Sequence, residues 1–229
     1  MIYAKAPAMG RLVRKVNRFL ALVELGGRVE KAHIPNSGRL AELMIPGAEA
    51  VLDAAANPDR KTRFTLKALR HQGKWVCIDS SIPNAIAKEM ALSAALPCFA
   101  GYTRARREYT IGRHRFDLRL DGPGLTPMIV EVKSVTLVKD GVAMFPDAPT
   151  ERGVSHVRAL TAMKDRARLV LFVIQRSDAR LFRPNRATDP EFADALAAAK
   201  KAGVIIHAVK CKITSRSISP LSPITIELQ

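Results

Sequence analysis

Asp117, Glu131 and Lys133 are the residues of this sequence whose types and spacing could build a metal site. Glu131 and Lys133 lie in the segment IVEVKSV, and Asp117 lies upstream in the segment RFDLRL. In a β-strand, residues i and i+2 project from the same face, so Glu131 and Lys133 should point together from an otherwise apolar strand. Such charged side chains are costly to bury without partners. A hairpin would place Asp117 beside them as that partner.

Two carboxylates at one point form a hard-oxygen site of the kind that Mg²⁺ or Mn²⁺ prefers. Such an ion would activate a bound water and stabilise charge on a phosphoryl oxygen. Lys133 could orient that water or neutralise the transition state. We therefore expect Asp117 and Glu131 to be metal ligands and Lys133 a catalytic residue. The alternative is a solvated cross-strand ion pair of Glu131 and Lys133, worth under ~1 kcal/mol, and the apolar surroundings disfavour it.

The first third of the sequence predicts short strands separated by turns. The segment RLVRKVNRFLALVEL alternates apolar and polar residues in places, Gly26-Gly27 forms a turn, and RVEKAHI returns as the second strand of a hairpin. Ser37 is expected to cap a short helix over GRLAELM. RFTLKALRHQGKWVCID predicts another hairpin, turning near Gln72-Gly73. The pattern indicates an OB-like β-barrel over residues 1–82, and an SH3-like barrel would give much the same pattern.

A second domain is predicted over residues 83–229. The Ala-rich stretch PNAIAKEMALSAAL reads as a helix that Pro97 ends. REYTIGRHRFDLRLDG and MIVEVKSVTLV predict two strands, and Thr150 is expected to cap the helix ERGVSHVRALTAMKDR. RLVLFVIQ has the length of a buried central strand. After the helix EFADALAAAKKA, VIIHAVKCKI is expected to be the last strand. This order implies an α+β, mixed fold: a mixed central sheet flanked by helices.

The net charge of +16 and the pI of about 10.3 predict a polyanionic partner. No apolar run approaches the ~20 residues of a membrane-spanning helix, so a membrane partner is not expected. The N-terminus lacks the pattern of a signal peptide, and Cys77, Cys98 and Cys211 show no zinc or disulfide spacing. These features favour a cytoplasmic protein with reduced thiols.

Basic residues occur in clusters that together suggest a surface for the phosphate backbone of a nucleic acid. Asn36 lies in a turn beside His33, and for both residues local structural roles are the favoured alternative to nucleic-acid contact. The predicted nucleic-acid-binding residues are Arg11, Arg14, Lys15, Arg18, Asn36, Arg39, Arg60, Lys61, Arg63, Arg106 and Arg107.

The composition also narrows the kind of nucleic acid. Aromatic residues make up 5% of the sequence, which disfavours a single-strand binder that works by stacking bases on aromatic platforms. Duplex DNA bound through its backbone with little sequence preference fits better, and RNA is the less favoured partner. There is no Gly-rich nucleotide loop, helix-turn-helix or zinc-finger pattern. The oligomeric state is left open.

The segments VEVKSVTLVKDGVAMFPDAPTERGVSHVRAL, HIPNSGRL, ARREYTIGRHRFDLRL, LFVIQRSDA, FRPN and DPEFADAL resemble the sugar fermentation stimulation protein A family. The resemblance extends from about Arg11 to Cys211. It implies an N-terminal OB fold and a C-terminal domain like the PD-(D/E)XK nucleases, in a DNA-binding protein without strong sequence preference.

The resemblance also implies roles for single residues. Asp117, Glu131 and Lys133 match the nuclease motif, Glu108 resembles an additional upstream acid of some such nucleases, and Gln175 closes the central strand where that fold often has Gln or Lys. Simple ion pairing of Glu108 and capping of a strand end by Gln175 are the alternatives. The sequence departs from the family at Ile34, where Cys is frequent. His156 is expected to be a half-exposed helix residue.

Three functions are therefore compatible with the sequence. The first is a DNA-binding protein with a Mg²⁺- or Mn²⁺-dependent phosphodiesterase site. The second is a non-catalytic DNA-binding regulator of sugar (maltose) metabolism genes, in which the nuclease fold is only a scaffold. The third and weakest is an RNA-binding or RNA-processing factor.

Overall fold

A computed structural model of the protein describes residues 1, 3, 7–55, 57 and 59–228. The strands of the first part are β1 (Ala8–Asn17), β2 (Leu20–Leu25), β3 (Arg28–His33), β4 (Glu49–Ala54), β5 (Phe64–His71) and β6 (Lys74–Cys77). The later strands are β7 (Arg104–Ile111), β8 (His114–Asp121), β9 (Met128–Val135), β10 (Val138–Lys139), β11 (Val142–Phe145), β12 (Ala167–Ile174), β13 (Leu181–Pro184), β14 (Ile205–Ile213), β15 (Ile218–Pro223) and β16 (Thr225–Ile226). The α-helices are α1 (Ile82–Leu92), α2 (Glu151–Ala162) and α3 (Pro190–Lys201).

Strands β1 to β5 close into a barrel. β1 pairs with β2 and β4, β4 pairs with β5, and β3 closes the ring by pairing in parallel with β5. The interior is filled by apolar side chains that alternate along the strands, among them Leu12, Val23, Leu52 and Leu66. This closed five-stranded barrel confirms the OB-like domain predicted from the turn pattern. The predicted turns form at Gly26-Gly27 and Gln72-Gly73, but RLVRKVNRFLALVEL is not one strand, because the chain turns at Arg18-Phe19 and the segment forms the antiparallel pair β1 and β2.

The expected helix over GRLAELM is wrong. The segment makes a single turn, in which the Leu43 and Met44 amides both donate to the Leu40 carbonyl. The Asn36 side chain, and not that of Ser37, organises the start of the segment: its Oδ1 accepts from the Gly38 amide at 2.8 Å, and its Nδ2 donates to the Ile78 carbonyl at 2.8 Å. The chain is therefore anchored to the end of β6 before a helix can start.

The second domain is built on a six-stranded sheet in the order β15-β14-β12-β9-β8-β7. β9, β12 and β14 are parallel, and the other neighbouring pairs are antiparallel. Helix α1 packs on one face of this sheet, and α2 and α3 pack on the other. The predicted mixed sheet is confirmed. Thr150 and Asp189 cap α2 and α3 through their side chains, as the sequence indicates for both helices.

Two strand predictions need correction. REYTIGRHRFDLRLDG is not one strand but the hairpin of β7 and β8, because Gly112 takes a positive φ of 56° and turns the chain. VIIHAVKCKI is not the last strand, since β15 folds back on β14 and β16 joins a small sheet with β10, β11 and β13. No helix of the described residues is long and apolar enough to cross a membrane.

The barrel and the second domain are joined through Asp147, in the loop before α2. Its Oδ2 accepts from the backbone amides of Arg39 and Leu40, at 2.9 and 3.3 Å. A second hydrogen bond joins β6 to the end of β12: the Cys77 amide donates to the Gln175 carbonyl at 3.1 Å. Because Cys77 also belongs to the apolar core that contains helix α1, the two domains share one buried core.

Gly38 lies where this junction is tightest, which leads to a testable prediction. A Cβ at this position would lie 2.6 Å from Asp147 Oδ2 and 3.0 Å from Asn36 Oδ1. Gly38→Ala must therefore push the loops apart, and we expect it to lower the free energy of unfolding by about 1–3 kcal/mol in urea denaturation. The exposed neighbour variant Ser37→Ala is the control and should change it by less than about 0.5 kcal/mol. Equal stability of both variants would contradict the described junction.

Candidate active site

Asp117 lies where strands β8 and β9 separate. Their pairing covers Leu118 to Leu120 opposite Val130 to Met128, and Asp117 comes just before the first pair. Its Oδ2 accepts from the Val132 amide at 2.7 Å, so the carboxylate satisfies a backbone donor of β9 at this point. Its Oδ1 accepts from Asn84 Nδ2 of α1 at 2.7 Å. Two hydrogen bonds from separate elements therefore fix this carboxylate.

Glu131 and Lys133 project from the face of β9 that α2 covers, as the two-residue period predicts. Glu131 Oε1 accepts from Lys133 Nζ at 2.6 Å and lies 2.8 Å from His156 Nδ1 of α2. The three side chains are only 5%, 11% and 7% exposed. The other carboxylate oxygen, Glu131 Oε2, is buried without a hydrogen-bond partner. A buried carboxylate oxygen without a partner is costly, and a water or a cation bound to it would remove that cost.

The two acids differ in their electrostatic surroundings. Burial and the nearby charge of Glu131 raise the pKa of Asp117, although the bonds from Val132 and Asn84 and the Lys133 charge act against this. Burial also raises the pKa of Glu131, but Lys133 and His156 outweigh it and hold that pKa below its ordinary value. Glu131 is thus a stable carboxylate that repels a second negative charge at Asp117. A cation between them would remove that repulsion.

The donor set fits a small divalent cation with many water ligands. Within the described part of the chain, no three His, Cys, Asp or Glu side chains converge on one point. Asp117 and Glu131 could therefore supply only two protein carboxylates, and water, backbone or phosphate oxygens would complete the shell. Mg²⁺ is bound in this way, through one or two carboxylates plus waters and substrate phosphates.

A cationic pocket of about 400 Å³ lies between the β7–β8 turn and α2, and neither Asp117 nor Glu131 is among its lining residues. His156, which contacts Glu131, forms part of its lining. His114 packs edge-on against the His156 ring, with 5.5 Å between centroids. The remaining lining residues are Arg113, Arg115, Arg152 and Ser155. All three arginines are exposed, so the approach to the carboxylates attracts anions.

The structure places the two additional candidates from the family resemblance apart from this cluster. Glu108 is exposed on β7 and pairs with Arg115, with 3.6 Å between charged atoms, so it does not join Asp117 and Glu131. Gln175 is fully buried at the end of β12. Its Nε2 donates to Ser134 Oγ at 3.1 Å, one residue from Lys133, while its Oε1 has no partner.

The predicted nucleic-acid-binding residues are spread over several elements of both domains. Exposed basic side chains occur on and just after β1, on the loops before β4 and β5, and on β7. Lys15 is the exception among the predicted basic residues: it is half-buried, because it donates to the Gly38 and Arg39 carbonyls. Arg63 pairs with Glu30. The exposed members are Arg11, Arg14, Arg18, Arg39, Arg60, Lys61, Arg63, Arg106 and Arg107. Asn36 is engaged in the junction described above.

Sequence reasoning missed two residues of the site. The expectation that His156 is half-exposed is wrong, because it is buried against Glu131. Its position three residues after buried Gly153 and four before buried Leu160 places it on the inner face of α2, and this helical period was readable in the sequence. Asn84 gave no such indication, since only the packing of α1 on the sheet brings it to Asp117.

The electrostatics of Asp117 lead to a stability prediction for the metal-free protein. A carboxyl whose pKa is raised by folding destabilises the folded state wherever it is ionised. Asp117→Asn keeps an oxygen acceptor for Val132 and removes the charge, and its NH2 group can donate to Asn84 Oδ1 once the Asn84 amide turns over. In EDTA at pH 7 the free energy of unfolding should therefore rise by about 1 kcal/mol. The gain should disappear below about pH 4, where the carboxyl is protonated in both states.

Urea denaturation across this pH range measures the difference. The exposed acid of Asp59→Asn serves as the control, and its effect should stay within about 0.5 kcal/mol at every pH. A loss of stability in Asp117→Asn at pH 7 would show that the carboxylate charge is satisfied without a cation.

Comparison with known proteins identifies the family. Residues 13–78 match the family model described as the SfsA N-terminal OB domain, and residues 81–217 match the one described as the sugar fermentation stimulation protein RE domain. The chain is similar to sugar fermentation stimulation protein homologs of Alkaliphilus metalliredigens, at 42% identity with 92% of each chain covered, and of Acetivibrio thermocellus, at 44% identity with 89% and 88% covered.

Among solved structures, the chain is similar to Pyrococcus furiosus SfsA in complex with Ca²⁺, at 29% identity and a TM-score of 0.90, with 98% of this chain and 97% of that chain covered. The match therefore includes both the barrel and the mixed-sheet domain. The chain belongs to the sugar fermentation stimulation protein A (SfsA) family.

Proposed function

We propose that this protein binds DNA and hydrolyses its phosphodiester bonds with a divalent cation held by Asp117 and Glu131. The observation that carries the proposal is the buried, partnerless Oε2 of Glu131, near the second carboxylate of Asp117, with His156 joining Glu131 to the lining of an arginine-lined pocket. A merely structural ion pair of Glu131 with Lys133 needs neither a second, half-buried acid nor an unsatisfied oxygen. A cation explains both features.

Mg²⁺ or Mn²⁺ is the proposed ion. Both are hard cations that take oxygen ligands, as does Ca²⁺, with which the Pyrococcus furiosus relative was solved. The ion would activate water at neutral pH and polarise a phosphoryl oxygen. Asp117 is already held toward this position by the Val132 amide and Asn84.

The side chains around the acids supply the rest of the chemistry. Lys133 brings a buried positive charge next to Glu131, from which it can neutralise charge that develops on a phosphate in the transition state. His156 contacts the same Glu131 oxygen as Lys133, so it fixes the carboxylate and leaves Oε2 for the ion. Arg113, Arg115 and Arg152 line the approach, where they can hold the flanking phosphates.

Duplex DNA bound through its backbone is the proposed partner. The net charge of +16 and the exposed basic side chains on both domains favour contacts to phosphates over contacts to bases. RNA is the less favoured ligand, because no feature of the described surface selects a 2′-hydroxyl.

A non-catalytic DNA-binding regulator is the second candidate. It is favoured by the closed Lys133–Glu131 contact, which shows that the acid has a partner within the protein. This candidate makes the cluster a buried ion pair, for which loss of one member costs stability and leaves DNA binding unchanged. It gives no reason for the unsatisfied Oε2.

A cleavage assay separates the two candidates. With Mg²⁺ or Mn²⁺ on supercoiled, linear and single-stranded DNA, Glu131→Gln and Lys133→Ala should each reduce the rate at least ~100-fold, because they remove an ion ligand and a transition-state charge. Glu108→Ala is the matched control, since that acid is exposed and paired with Arg115, and it should cut like the wild type. EDTA should abolish cutting. Wild-type rates in Glu131→Gln would refute the proposed chemistry.

The arginines of the approach should set part of the DNA affinity. For Arg113→Ala and for Arg152→Ala, we expect weaker duplex binding and a decrease of about 1 in the slope of log affinity against log salt, as each removes one phosphate contact. Fluorescence anisotropy in EDTA would measure this slope. The salt concentration would be varied between roughly 50 and 200 mM, the range over which such slopes are determined. Arg28→Ala, at the exposed turn between β2 and β3, should leave the slope unchanged. Equal slopes for all four proteins would mean that DNA does not approach through this pocket.

A further inference from the structure

A cleft of about 350 Å³ lies between the barrel and the second domain, separate from the arginine-lined pocket. The barrel contributes residues 36–38, and the second domain contributes residues 134–137, which end β9 and continue beyond it, and residues 144–150, which lead into α2. Small-molecule sites begin at about 300 Å³. The cleft is therefore of the size of one small ligand, about that of a single nucleotide.

The lining combines three kinds of surface. Met144, Phe145 and Pro146 offer an apolar and partly aromatic wall, on which a flat ring could pack. Ser134 and Thr136 offer hydroxyl groups opposite the barrel. Arg18 and Arg152 contribute positive charge. A nucleotide has a flat ring, an edge with hydrogen-bonding groups and a phosphate. The apolar wall, the hydroxyl groups and the arginines of the cleft match these three parts in turn.

Ser134 has a hydroxyl proton available for such a ligand. Its Oγ accepts from Gln175 Nε2, and no acceptor for the hydroxyl proton is found among the described residues. Gln175 is fully buried, and its Oε1 has no partner. With the two amide atoms of Gln175 exchanged, Ser134 would donate to Gln175, and its oxygen could then accept from a ligand instead. In either arrangement, the Ser134 hydroxyl at the end of β9 keeps hydrogen-bonding capacity for a ligand in the cleft.

The charge balance of the cleft favours an anion. Asp147 is the one acidic residue of its lining, and its Oδ2 is occupied by the Arg39 and Leu40 amides. Arg18 donates only to the Ser37 carbonyl. Within the described residues, neither Arg18 nor Arg152 pairs with a carboxylate. The N-terminus of α2, capped by Thr150 at the cleft, adds positive potential.

The cleft adjoins the arginine-lined pocket. Arg152 lines both of them, while Ser134 and Lys133 are consecutive on β9 and therefore project from opposite faces of that strand. We propose that the cleft seats one unpaired nucleotide of the nucleic-acid substrate, beside the phosphate that is cut. A base stacked in a duplex cannot enter such a cleft, so this nucleotide is terminal or extruded. The proposal rests on the proposed function for its choice of ligand and defines the substrate as a strand end or an unpaired site.

The test measures binding of mononucleotides to the full chain in EDTA, where no cleavage occurs. Isothermal titration calorimetry would compare AMP and CMP with inorganic phosphate and maltose as probes. AMP or CMP should bind at least about tenfold more tightly than phosphate alone, a difference of about 1.4 kcal/mol. Ala148→Phe narrows the cleft and should weaken nucleotide binding at least about tenfold by the same measure, whereas the matched Ala148→Ser should bind like the wild type.

Each outcome decides the proposal. A thermal melt shows that both Ala148 variants are folded, and Ser134→Ala provides a second, smaller change that should also weaken binding. Nucleotide binding that is unchanged in Ala148→Phe, or binding of maltose in place of nucleotides, overturns the proposal. Absence of nucleotide binding overturns it too, even if the wild type cleaves DNA. Nucleotide binding that persists in Glu131→Gln, together with cleavage-inactive wild-type protein, would instead reject the proposed nuclease and keep the cleft.

Discussion

The proximity of two carboxylates, the buried Glu131 and the half-buried Asp117, is the constraint on which the site depends. Glu131 is compensated on one oxygen by Lys133 and His156, and its other oxygen is left without a partner. Asp117 is held by a backbone amide and by Asn84, yet burial and the charge of Glu131 raise its pKa. Repulsion between buried like charges is destabilising unless a cation intervenes. The local fold therefore has an energetic cost. A bound cation would offset this cost, whereas a purely structural ion pair of Glu131 with Lys133 would not.

The same arrangement explains how the elements are distributed. β8 and β9 must separate at Asp117 for its carboxylate to reach the Val132 amide, and α1 and α2 must cover opposite faces of the sheet to supply Asn84 and His156. The barrel adds what the sheet lacks: a second wall for the cleft and an additional basic surface. Asp147 joins the two parts by accepting from barrel amides. The core that the two domains share fixes the position of the cleft relative to Asp117 and Glu131.

How far the sequence predicts this structure depends on the range of each interaction. The facing of Glu131 and Lys133 follows from the two-residue period of a strand, and the caps Thr150 and Asp189 follow from local hydrogen bonding, so these predictions hold. The helix expected after Ser37 fails because Asn36 is bound to a carbonyl 42 residues away in sequence. Contacts of Asn84 and Gln175 are likewise fixed by tertiary packing, which no local pattern contains, whereas Glu108 pairs with Arg115 across the β7–β8 hairpin.

A crystal structure of the protein with Mn²⁺, with the ion located by its anomalous scattering, would test the central claim most directly. The account predicts one anomalous peak about 2–2.5 Å from Glu131 Oε2 and from a carboxylate oxygen of Asp117. In crystals of Glu131→Gln that peak should be absent or much weaker. Ordered wild-type crystals with no peak at this point, or with the ion bound elsewhere, would contradict the account and leave Glu131 and Lys133 as a structural ion pair.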